Sequence, residues 1–243
     1  MRKSHSGGMI DTIKTVFYAV LIALLVRTIA FEPFNIPSGS MIPTLLIGDY
    51  LFVSKYSYGY SRYSLPFGLP LIPGRLFQSE PEQGDVAVFA LPSDTSLDYI
   101  KRVIGLPGDR VQMIGGHLHI NGKPVRRERT GDFVGECSNN IAMFSRFTET
   151  LPNGVRHTII ELTDSGPYDD TREYVVPEGH YFMMGDNRDC SNDSRADVGY
   201  VPIRNFVGRA EVLFFSKDDS ARFWEIWKWP LALRYSRFFQ GVH

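Results

Sequence analysis

The sequence lacks any marked excess of charge. Its 243 residues hold 26 Lys and Arg against 27 Asp and Glu, for a formal net charge of −1. Because nucleic-acid binding needs a basic excess that neutralises phosphates, we expect no nucleic acid as a partner. Internal repeats and low-complexity segments are also absent. The length then leaves room for one domain, or for one domain with an insertion, with a sizeable core.

Cysteine is scarce, with only Cys137 and Cys190 in the sequence. Two cysteines allow at most one disulfide within the chain, and sequence alone does not tell whether they meet in space. Two inert thiols are an equally good interpretation. The pair therefore stays open at this point.

One long hydrophobic run is present, and it lies near the N-terminus. Residues 12–31 supply about the ~20 residues that a helix needs to cross a bilayer, with flanking Lys14 and Arg27 able to snorkel. The basic tail before it, residues 1–11, predicts a cytoplasmic N-terminus. We therefore expect a single-pass anchor with everything after Phe31 on the far side of the membrane.

The alternative interpretation of this run is a cleaved secretory signal, because Thr28-Ile29-Ala30 resembles a small-x-small cleavage site. Arg27, between the apolar run and that site, favours the uncleaved anchor. Cleavage of its own anchor after Ala30 stays open. Both interpretations export the body of the protein, where a disulfide is permitted.

Short strand patterns fill the exported body, and no long helical period occurs between Ser40 and Lys217. Asn121-Gly122, between two extended arms, is the strongest short hairpin signal in the sequence. These patterns predict a mainly β fold, in which an antiparallel β-sheet core with an inserted smaller β subdomain follows one transmembrane helix.

Shifts in composition predict where the parts of the chain begin and end. The predicted order is a tail at 1–11, the helix at 12–31, a β core at 32–110 and 177–220, an insertion at 111–176 and an amphipathic segment at 221–243. The last segment mixes all three tryptophans with Arg and Lys, which is typical of a membrane–water boundary. A terminal helix packed on the sheet is the alternative. The apolar loop 64–77 is also amphipathic, and no chemistry is assigned to loop 126–150.

Two serines in the stretch PSGSM, residues 37–41, are candidates for chemistry. An isolated serine in a turn is usually a turn former, whereas a nucleophile needs an exposed hydroxyl, a base and donors for an oxyanion. Ser40 could attack while its own N–H and the Ser38 hydroxyl face the oxyanion. The stretch alone favours turn formation over catalysis.

A base for Ser40 could be a histidine or a lysine. His180, before a polar loop, is the histidine candidate, and His117 with His119 gives only a weak metal signal. Lys101 lies in a strand of Tyr, Ile and Val, where desolvation would lower its pKa and make it a competent base. Taken alone, Lys101 and Arg102 fit a solvated strand end better than a catalytic site.

A third stretch, residues 184–199, is dense in Asp, Asn, Ser and Arg. Such a loop is often merely structural. It can also orient a lysine through the Ser191 hydroxyl, with an Asp193–Arg195 pair that stiffens the loop.

Together these stretches resemble the type I signal peptidases (leader peptidases) of bacteria. The successive boxes of that family are matched, in the same order, by FNIPSGSMIPTLLIGDYLFVSK, QGDVAVF, DYIKRVIGLPGD and GDNRDCSNDSR. The resemblance covers the anchor and nearly all of the core, and it fades in the insertion and the C-terminal segment. Two departures are a single spanning segment, where some members have two, and Cys190 beside Ser191, where other members have Asn.

The resemblance implies a Ser/Lys dyad, with Ser40 as nucleophile and Lys101 as general base. Ser38 would complete the oxyanion hole, Ser191 would hydrogen-bond Lys101, and Asp193 with Arg195 would support the loop. Family members need no catalytic histidine, which demotes His180, and no cofactor or metal is expected. Shallow S1 and S3 pockets that accept small residues, typically Ala-x-Ala, would be lined by Phe34, Ile36, Met41, Leu45, Leu51, Val88, Tyr99 and Ile100.

The implied function is a membrane-anchored serine endopeptidase that removes signal peptides from exported preproteins. Its expected location is the bacterial cytoplasmic membrane, with the catalytic domain outside the cytoplasm. Preproteins bearing signal peptides, membrane lipid and the nearby protein-export machinery are the expected partners. Two alternatives are a processing peptidase dedicated to one secretion system and a catalytically inactive, membrane-tethered β domain that binds exported peptides.

Overall fold

A computed structural model describes residues 7–65, 71–137, 140–218, 220, 225 and 227–243. Its first element is helix α1, Gly7–Ile29, within which Ile10–Ile29 is long and apolar enough to cross a membrane. The helix ends two residues earlier than predicted, because Phe31 already belongs to the first strand. At this end the Tyr60 hydroxyl donates to the Ile29 carbonyl at 2.7 Å, which ties the helix to the β domain.

Strands make up most of the chain after α1, as predicted. In chain order they are β1 (Phe31–Asn35), β2 (Asp49–Ser54), β3 (Tyr60–Ser61), β4 (Arg75–Leu76), β5 (Val86–Leu91), β6 (Asp94–Gly105), β7 (Arg110–Ile114), β8 (His117–Ile120), β9 (Lys123–Pro124), β10 (Arg126–Cys137), β11 (Asn140–Thr150), β12 (Arg156–Glu161), β13 (Tyr174–Val175), β14 (His180–Met184), β15 (Val201–Pro202) and β16 (Phe206–Ser216). Short 3₁₀ turns occur at Gly39–Met41, Arg62–Ser64, Ile203–Asn205 and Tyr235–Arg237, and helix α2 covers Trp229–Ala232.

The main sheet has seven strands in the order β1-β2-β16-β5-β6-β14-β15, and every neighbouring pair is antiparallel. Its strands β5 and β16 are rich in Val, Ala and Phe, and they bury an apolar cluster against β2. The mainly β, antiparallel fold class is confirmed. Non-adjacent parts of the chain, β1 with its following turn and the middle of β6, meet on this sheet.

Strands β7 to β13 form two further sheets, β13-β7-β8-β9 and β10-β11-β12. The Asn121-Gly122 pair connects β8 to β9 with both residues at positive φ, 54° and 75°, which confirms the predicted hairpin. Side chains of β7 and β8 share one apolar cluster with Ile104 and Phe182 of the main sheet. The insertion therefore packs on the core, and its exact limits at 111–176 remain a prediction.

Cys137 and Cys190 form a disulfide, with their Cα atoms 5.6 Å apart. Cys137 ends β10 of the insertion, and Cys190 lies in the polar loop after β14. The two cysteines, whose pairing the sequence alone did not settle, therefore join the β10–β11 hairpin to that loop.

The C-terminal arm, residues 227–243, runs back along β16. Backbone hydrogen bonds join Phe239 to Leu213 at 2.7 Å and Val242 to Glu211 at 2.9 Å. In the described part of the predicted amphipathic segment, Trp229–Ala232 is α-helical and Tyr235–Arg237 is a 3₁₀ turn, so these residues form short helical turns rather than one terminal helix. Residues 221–224 and 226 lie outside the described residues. Trp227 and Leu231 are exposed, as are Leu71 and Phe77 of the apolar loop, whose residues 66–70 also lie outside the described ones.

Candidate active site

The turn that carries Ser40 lies shortly after β1 in the chain. Gly39–Met41 forms one 3₁₀ turn, and Ser40 is 8% exposed. Asn187 of the polar loop binds this turn through two hydrogen bonds. Its backbone N–H donates to the Ser40 carbonyl at 3.1 Å, and its side-chain amide donates to the Gly39 carbonyl at 3.1 Å. These bonds fix the turn that carries the Ser40 hydroxyl.

Lys101 projects from the middle of β6 toward that hydroxyl. Its Nζ lies 2.7 Å from Ser40 Oγ and 2.9 Å from the Ile100 carbonyl oxygen. The residue is 3% exposed, so water does not solvate the ammonium. Burial lowers the pKa of Lys101 from 10.5 to about 8, although the carboxylates of Asp193 and Asp186 raise it in part. A substantial fraction of the amine is therefore neutral near physiological pH.

Ser38 lies at the outer edge of the same turn. Its Oγ is 3.4 Å from Ser40 Oγ, and its backbone is extended, with φ −129° and ψ 153°. The residue lines the cavity beside Ser40. The Ser38 hydroxyl is thus available beside the Ser40 hydroxyl.

Ser191 is buried but does not bond Lys101 as the resemblance implied. Its Oγ has no hydrogen-bond partner among the described residues, and the described bonds of Lys101 Nζ go to Ser40 and Ile100. Ser191 instead packs against Gly185, where an added Cβ would overlap both Ser191 Oγ and the Ser40 carbonyl oxygen. The loop can approach the nucleophile this closely because position 185 has no side chain.

Asp193 and Arg195 form a buried ion pair in the same loop. Arg195 Nε donates to Asp193 Oδ1 at 3.0 Å and Nη2 to Oδ2 at 2.8 Å, while the Gly185 N–H donates to Oδ2 at 3.0 Å. Burial raises the pKa of Asp193, but the Arg195 guanidinium and the hydrogen bonds together lower it more, so the pKa lies below its usual value. The Asp193 carboxylate therefore stays ionised near Lys101.

A second buried pair, Arg102 with Asp186, was not predicted. Arg102 Nε donates to Asp186 Oδ1 at 2.9 Å and Nη2 to Oδ2 at 2.7 Å, and the Thr44 hydroxyl donates to Oδ2 at 2.5 Å. Strand alternation places Arg102 on the opposite face from Lys101. A charged residue that points into the core from an apolar strand needs a buried partner of opposite charge. From the sequence, this requirement could have indicated that Arg102 has such a partner.

A cavity of about 470 Å³ opens beside Ser40 and Lys101. Five of the predicted pocket residues line it, namely Phe34, Ile36, Val88, Tyr99 and Ile100. The prediction was wrong for Met41, Leu45 and Leu51, which are fully buried in the apolar cluster behind the cavity. The resemblance suggested them, but their side chains lie in the apolar core.

Several other lining residues were not predicted from the sequence. The disulfide forms part of the wall together with Asn187 and Asn192 of the polar loop, and Asp98 lines the cavity from β6. No sequence pattern joined Cys137 to the site. Its place in the wall follows from the disulfide, which brings the end of β10 to the polar loop.

The candidate histidines of the sequence analysis lie apart from this arrangement. His180 begins β14, at the other end of the strand from Gly185, and its Nδ1 lies 2.9 Å from the Glu178 carbonyl oxygen. His117 Nε2 lies 3.0 Å from a guanidinium nitrogen of Arg127. Within the part of the chain that the structure describes, no group of three or more His, Cys, Asp or Glu is arranged to hold a metal ion.

Comparison with known proteins gives a consistent result. A family model described as "Signal peptidase, peptidase S26" matches residues 9–215. A signal peptidase I of Rickettsia typhi (strain ATCC VR-144 / Wilmington) is 42% identical over 245 residues, which cover 93% of this chain and 91% of the relative. A signal peptidase I of Rickettsia canadensis (strain McKiel) is 46% identical over 211 residues, or 84% and 78% of the two chains.

Among solved structures, a signal peptidase I from Enterococcus faecalis V583 aligns at 27% identity with a TM-score of 0.32. The alignment covers 54% of this chain and 97% of that one.

Proposed function

Because the chain belongs to the signal peptidase family, peptidase S26, it is a peptidase that removes signal peptides from preproteins, and we propose that Ser40 and Lys101 perform the cleavage. The single observation that carries the proposal is the 2.7 Å separation between Lys101 Nζ and Ser40 Oγ. It lies within the reach that a general base needs to take a proton from a nucleophile.

In the first step, neutral Lys101 accepts the Ser40 proton as Oγ attacks the scissile carbonyl carbon. The negative charge on the carbonyl oxygen is stabilised by the Ser40 N–H and the Ser38 hydroxyl. The Lys101 ammonium then donates its proton to the leaving amine, which becomes the N-terminus of the released mature protein. The signal peptide remains bound to Ser40 as an ester.

In the second step, Lys101 is neutral again and takes a proton from a water molecule that attacks the ester carbonyl. Collapse of that intermediate returns the proton to Ser40 and releases the signal peptide. In both steps the polar loop is held against the nucleophile turn by residues that do not take part in the proton transfers, namely Ser191, Asp193 and Arg195. Gly185 allows the close approach of loop and turn.

The cavity beside Ser40 supports a preference for small residues at the cleavage site. Ile36 and Val88 are nearly buried, so only shallow apolar depressions are open to a bound peptide. We propose the Ala-x-Ala type of cleavage site on this basis. A bulky residue before the cut would need displacement of these close-packed core side chains.

We also propose that α1 is an uncleaved anchor in the bacterial cytoplasmic membrane, with the β domain outside the cytoplasm. An exposed apolar helix of this length, joined to the domain at the Ile29 carbonyl, supports the proposal. Membrane lipid would surround α1, and the export machinery would deliver preproteins nearby. Confinement of enzyme and signal peptide to one membrane raises their effective concentration.

The test of the catalytic proposal is incubation of the purified full chain with a preprotein in detergent. We expect the wild type to release the mature protein and Ser40→Ala to release none. Cleavage by Ser40→Ala at the wild-type rate would contradict the assignment. An absence of cleavage by the wild type would favour the inactive peptide-binding domain.

A further inference from the structure

The buried carboxylate of Asp49, at the start of β2, collects donors from three parts of the chain. The Leu46 N–H donates to Oδ2 at 2.8 Å, and the Ser216 hydroxyl donates to Oδ1 at 2.6 Å. Arg237 of the C-terminal arm donates from Nε to Oδ1 at 3.1 Å and from Nη2 to Oδ2 at 2.5 Å. Asp49 is fully buried, so Arg237 supplies the close countercharge that a buried carboxylate needs.

The Arg237 guanidinium also binds the segment that follows Ser40. Nη2 of Arg237 also donates to the Thr44 carbonyl oxygen at 2.9 Å. Thr44 lies in the nucleophile loop, residues 42–48, which leads from the Ser40 turn to β2. Arg237 therefore joins the middle of this loop to its end at Asp49.

Thr44 also connects the segment that carries Ser40 to the strand that carries Lys101. Its hydroxyl donates to Asp186, whose carboxylate binds the guanidinium of Arg102, the neighbour of Lys101 on β6. Asn187, next to Asp186, donates to the Ser40 carbonyl. A shift of Thr44 would therefore move the nucleophile relative to its base.

The end of the arm contacts the same framework a second time. Arg102 Nη2 donates to the His243 carbonyl oxygen at 3.1 Å, and Val242 packs on the apolar cluster that contains Met41 and Leu45. The arm thus touches both the strand of the base and the segment after the nucleophile. It lies beyond residue 215, where the match to the family model ends.

From these contacts we propose that Arg237 is a positioning residue for Ser40. It fixes the nucleophile loop through the Thr44 carbonyl and Asp49, and so keeps Ser40 Oγ within hydrogen-bond distance of Lys101 Nζ. The inference rests on the proposed roles of Ser40 and Lys101. A misplacement of about 1 Å in a catalytic group can cost about 100-fold in rate, so a loosened loop is expected to be costly.

The decisive variant is Arg237→Lys in the full chain in detergent. Lysine keeps a positive charge beside Asp49 but lacks the planar fork that reaches the carboxylate and the Thr44 carbonyl together. We expect a thermal unfolding midpoint close to that of the wild type, a kcat on a signal-peptide substrate lowered about tenfold, and a KM within about twofold. Arg237→Gln, which loses the charge as well, should lower both kcat and the unfolding midpoint.

Ser216→Ala is the matched control, because it removes a bond to the same carboxylate but none to the nucleophile loop. Its kcat should stay within about twofold of the wild type. A wild-type kcat in folded Arg237→Lys would overturn the proposal, as would equal losses of kcat in Arg237→Lys and Ser216→Ala. Ser40→Ala and Lys101→Ala, assayed in parallel, separate the two levels. If either keeps the wild-type kcat, the catalytic assignment fails; if both are inactive while Arg237→Lys keeps the wild-type kcat, only the positioning role fails.

Discussion

Lys101 Nζ and Ser40 Oγ lie 2.7 Å apart although 61 residues separate them in the chain. One group comes from a turn after the edge strand β1 and the other from β6, deep in the same sheet. Both are nearly buried, so their hydrogen bond forms in a region of low dielectric where it is strong. The environment that favours this bond also favours the neutral form of the lysine.

The first prediction concerns the pH dependence of cleavage. Because burial lowers the pKa of Lys101 to about 8 and only the neutral amine can act as base, kcat/KM should rise as pH increases through about 8. Initial rates on a signal-peptide substrate, measured across the neutral and mildly alkaline range, check this. A rate that falls across this range would contradict a lysine base.

The second prediction concerns the identity of the base. Lys101→Ala should abolish detectable cleavage of a preprotein, because no other described amine, imidazole or carboxylate lies within hydrogen-bond distance of Ser40 Oγ to take its proton. His180→Ala is the control and should retain most of the activity, since His180 lies at the far end of β14. The reverse pattern would indicate a Ser-His enzyme.

The third prediction concerns stability and needs no activity. The folded-state pKa of Lys101, about 8, lies below its ordinary 10.5, so the unfolded chain binds more protons between these values. The penalty for the buried charge is therefore fully present below the folded-state pKa and disappears as pH rises to the ordinary value. Lys101→Met should have a higher free energy of unfolding than the wild type at neutral pH, by at most about 3 kcal/mol.

Unfolding by denaturant in detergent at neutral, mildly alkaline and strongly alkaline pH measures that difference. Groups common to both proteins cancel in the comparison, and the advantage of Lys101→Met should shrink with rising pH. A difference that does not change with pH would mean that the lysine keeps an ordinary pKa.

The fourth prediction concerns the disulfide in the cavity wall. Replacing Cys137 and Cys190 together by serine should release the β10–β11 hairpin from the polar loop and lower the unfolding free energy by about 2–4 kcal/mol. Because Cys137 lines the cavity, whereas the described partners of Ser40 Oγ are Ser38 and Lys101, we expect a larger rise in KM than fall in kcat.

Addition of a reductant gives the control for the fourth prediction. It should move the wild type toward the double-serine variant and leave the variant unchanged. Equal KM values for the oxidised wild type and the variant would show that this wall does not contact the substrate.

The sequence predicted those parts of the site that depend on local pattern. The Asn121-Gly122 hairpin is set by turn chemistry, whereas Ser40 and Lys101 were assigned by the resemblance of their segments to one family, because each segment alone favoured a structural role. Met41, Leu45 and Leu51 were misplaced because a resemblance in sequence does not fix which face of a loop or strand a side chain occupies. The cavity wall at Cys137 depends on a contact across 53 residues, for which the sequence carries no register.

Long-range polar contacts were the hardest part to predict. The alternation of β6 could have shown that Arg102 needs a buried partner, but not that Asp186 supplies it. Ser191 was given a bond to Lys101 by resemblance, and its actual place against Gly185 depends on the path of the polar loop. Such pairings arise from the packing of separate strands, so the pattern within a single segment does not predict them.

The contact between Asp49 and Arg237 joins residues that are 188 positions apart, and this has a consequence for biosynthesis. A ribosome synthesises the nucleophile, the base and every strand of the main sheet before it reaches Arg237. Until Arg237 has been added, the Asp49 carboxylate lacks this guanidinium partner. In a nascent chain, the bonds from Arg237 that fix the nucleophile loop can therefore form only after all strands of the main sheet have been made.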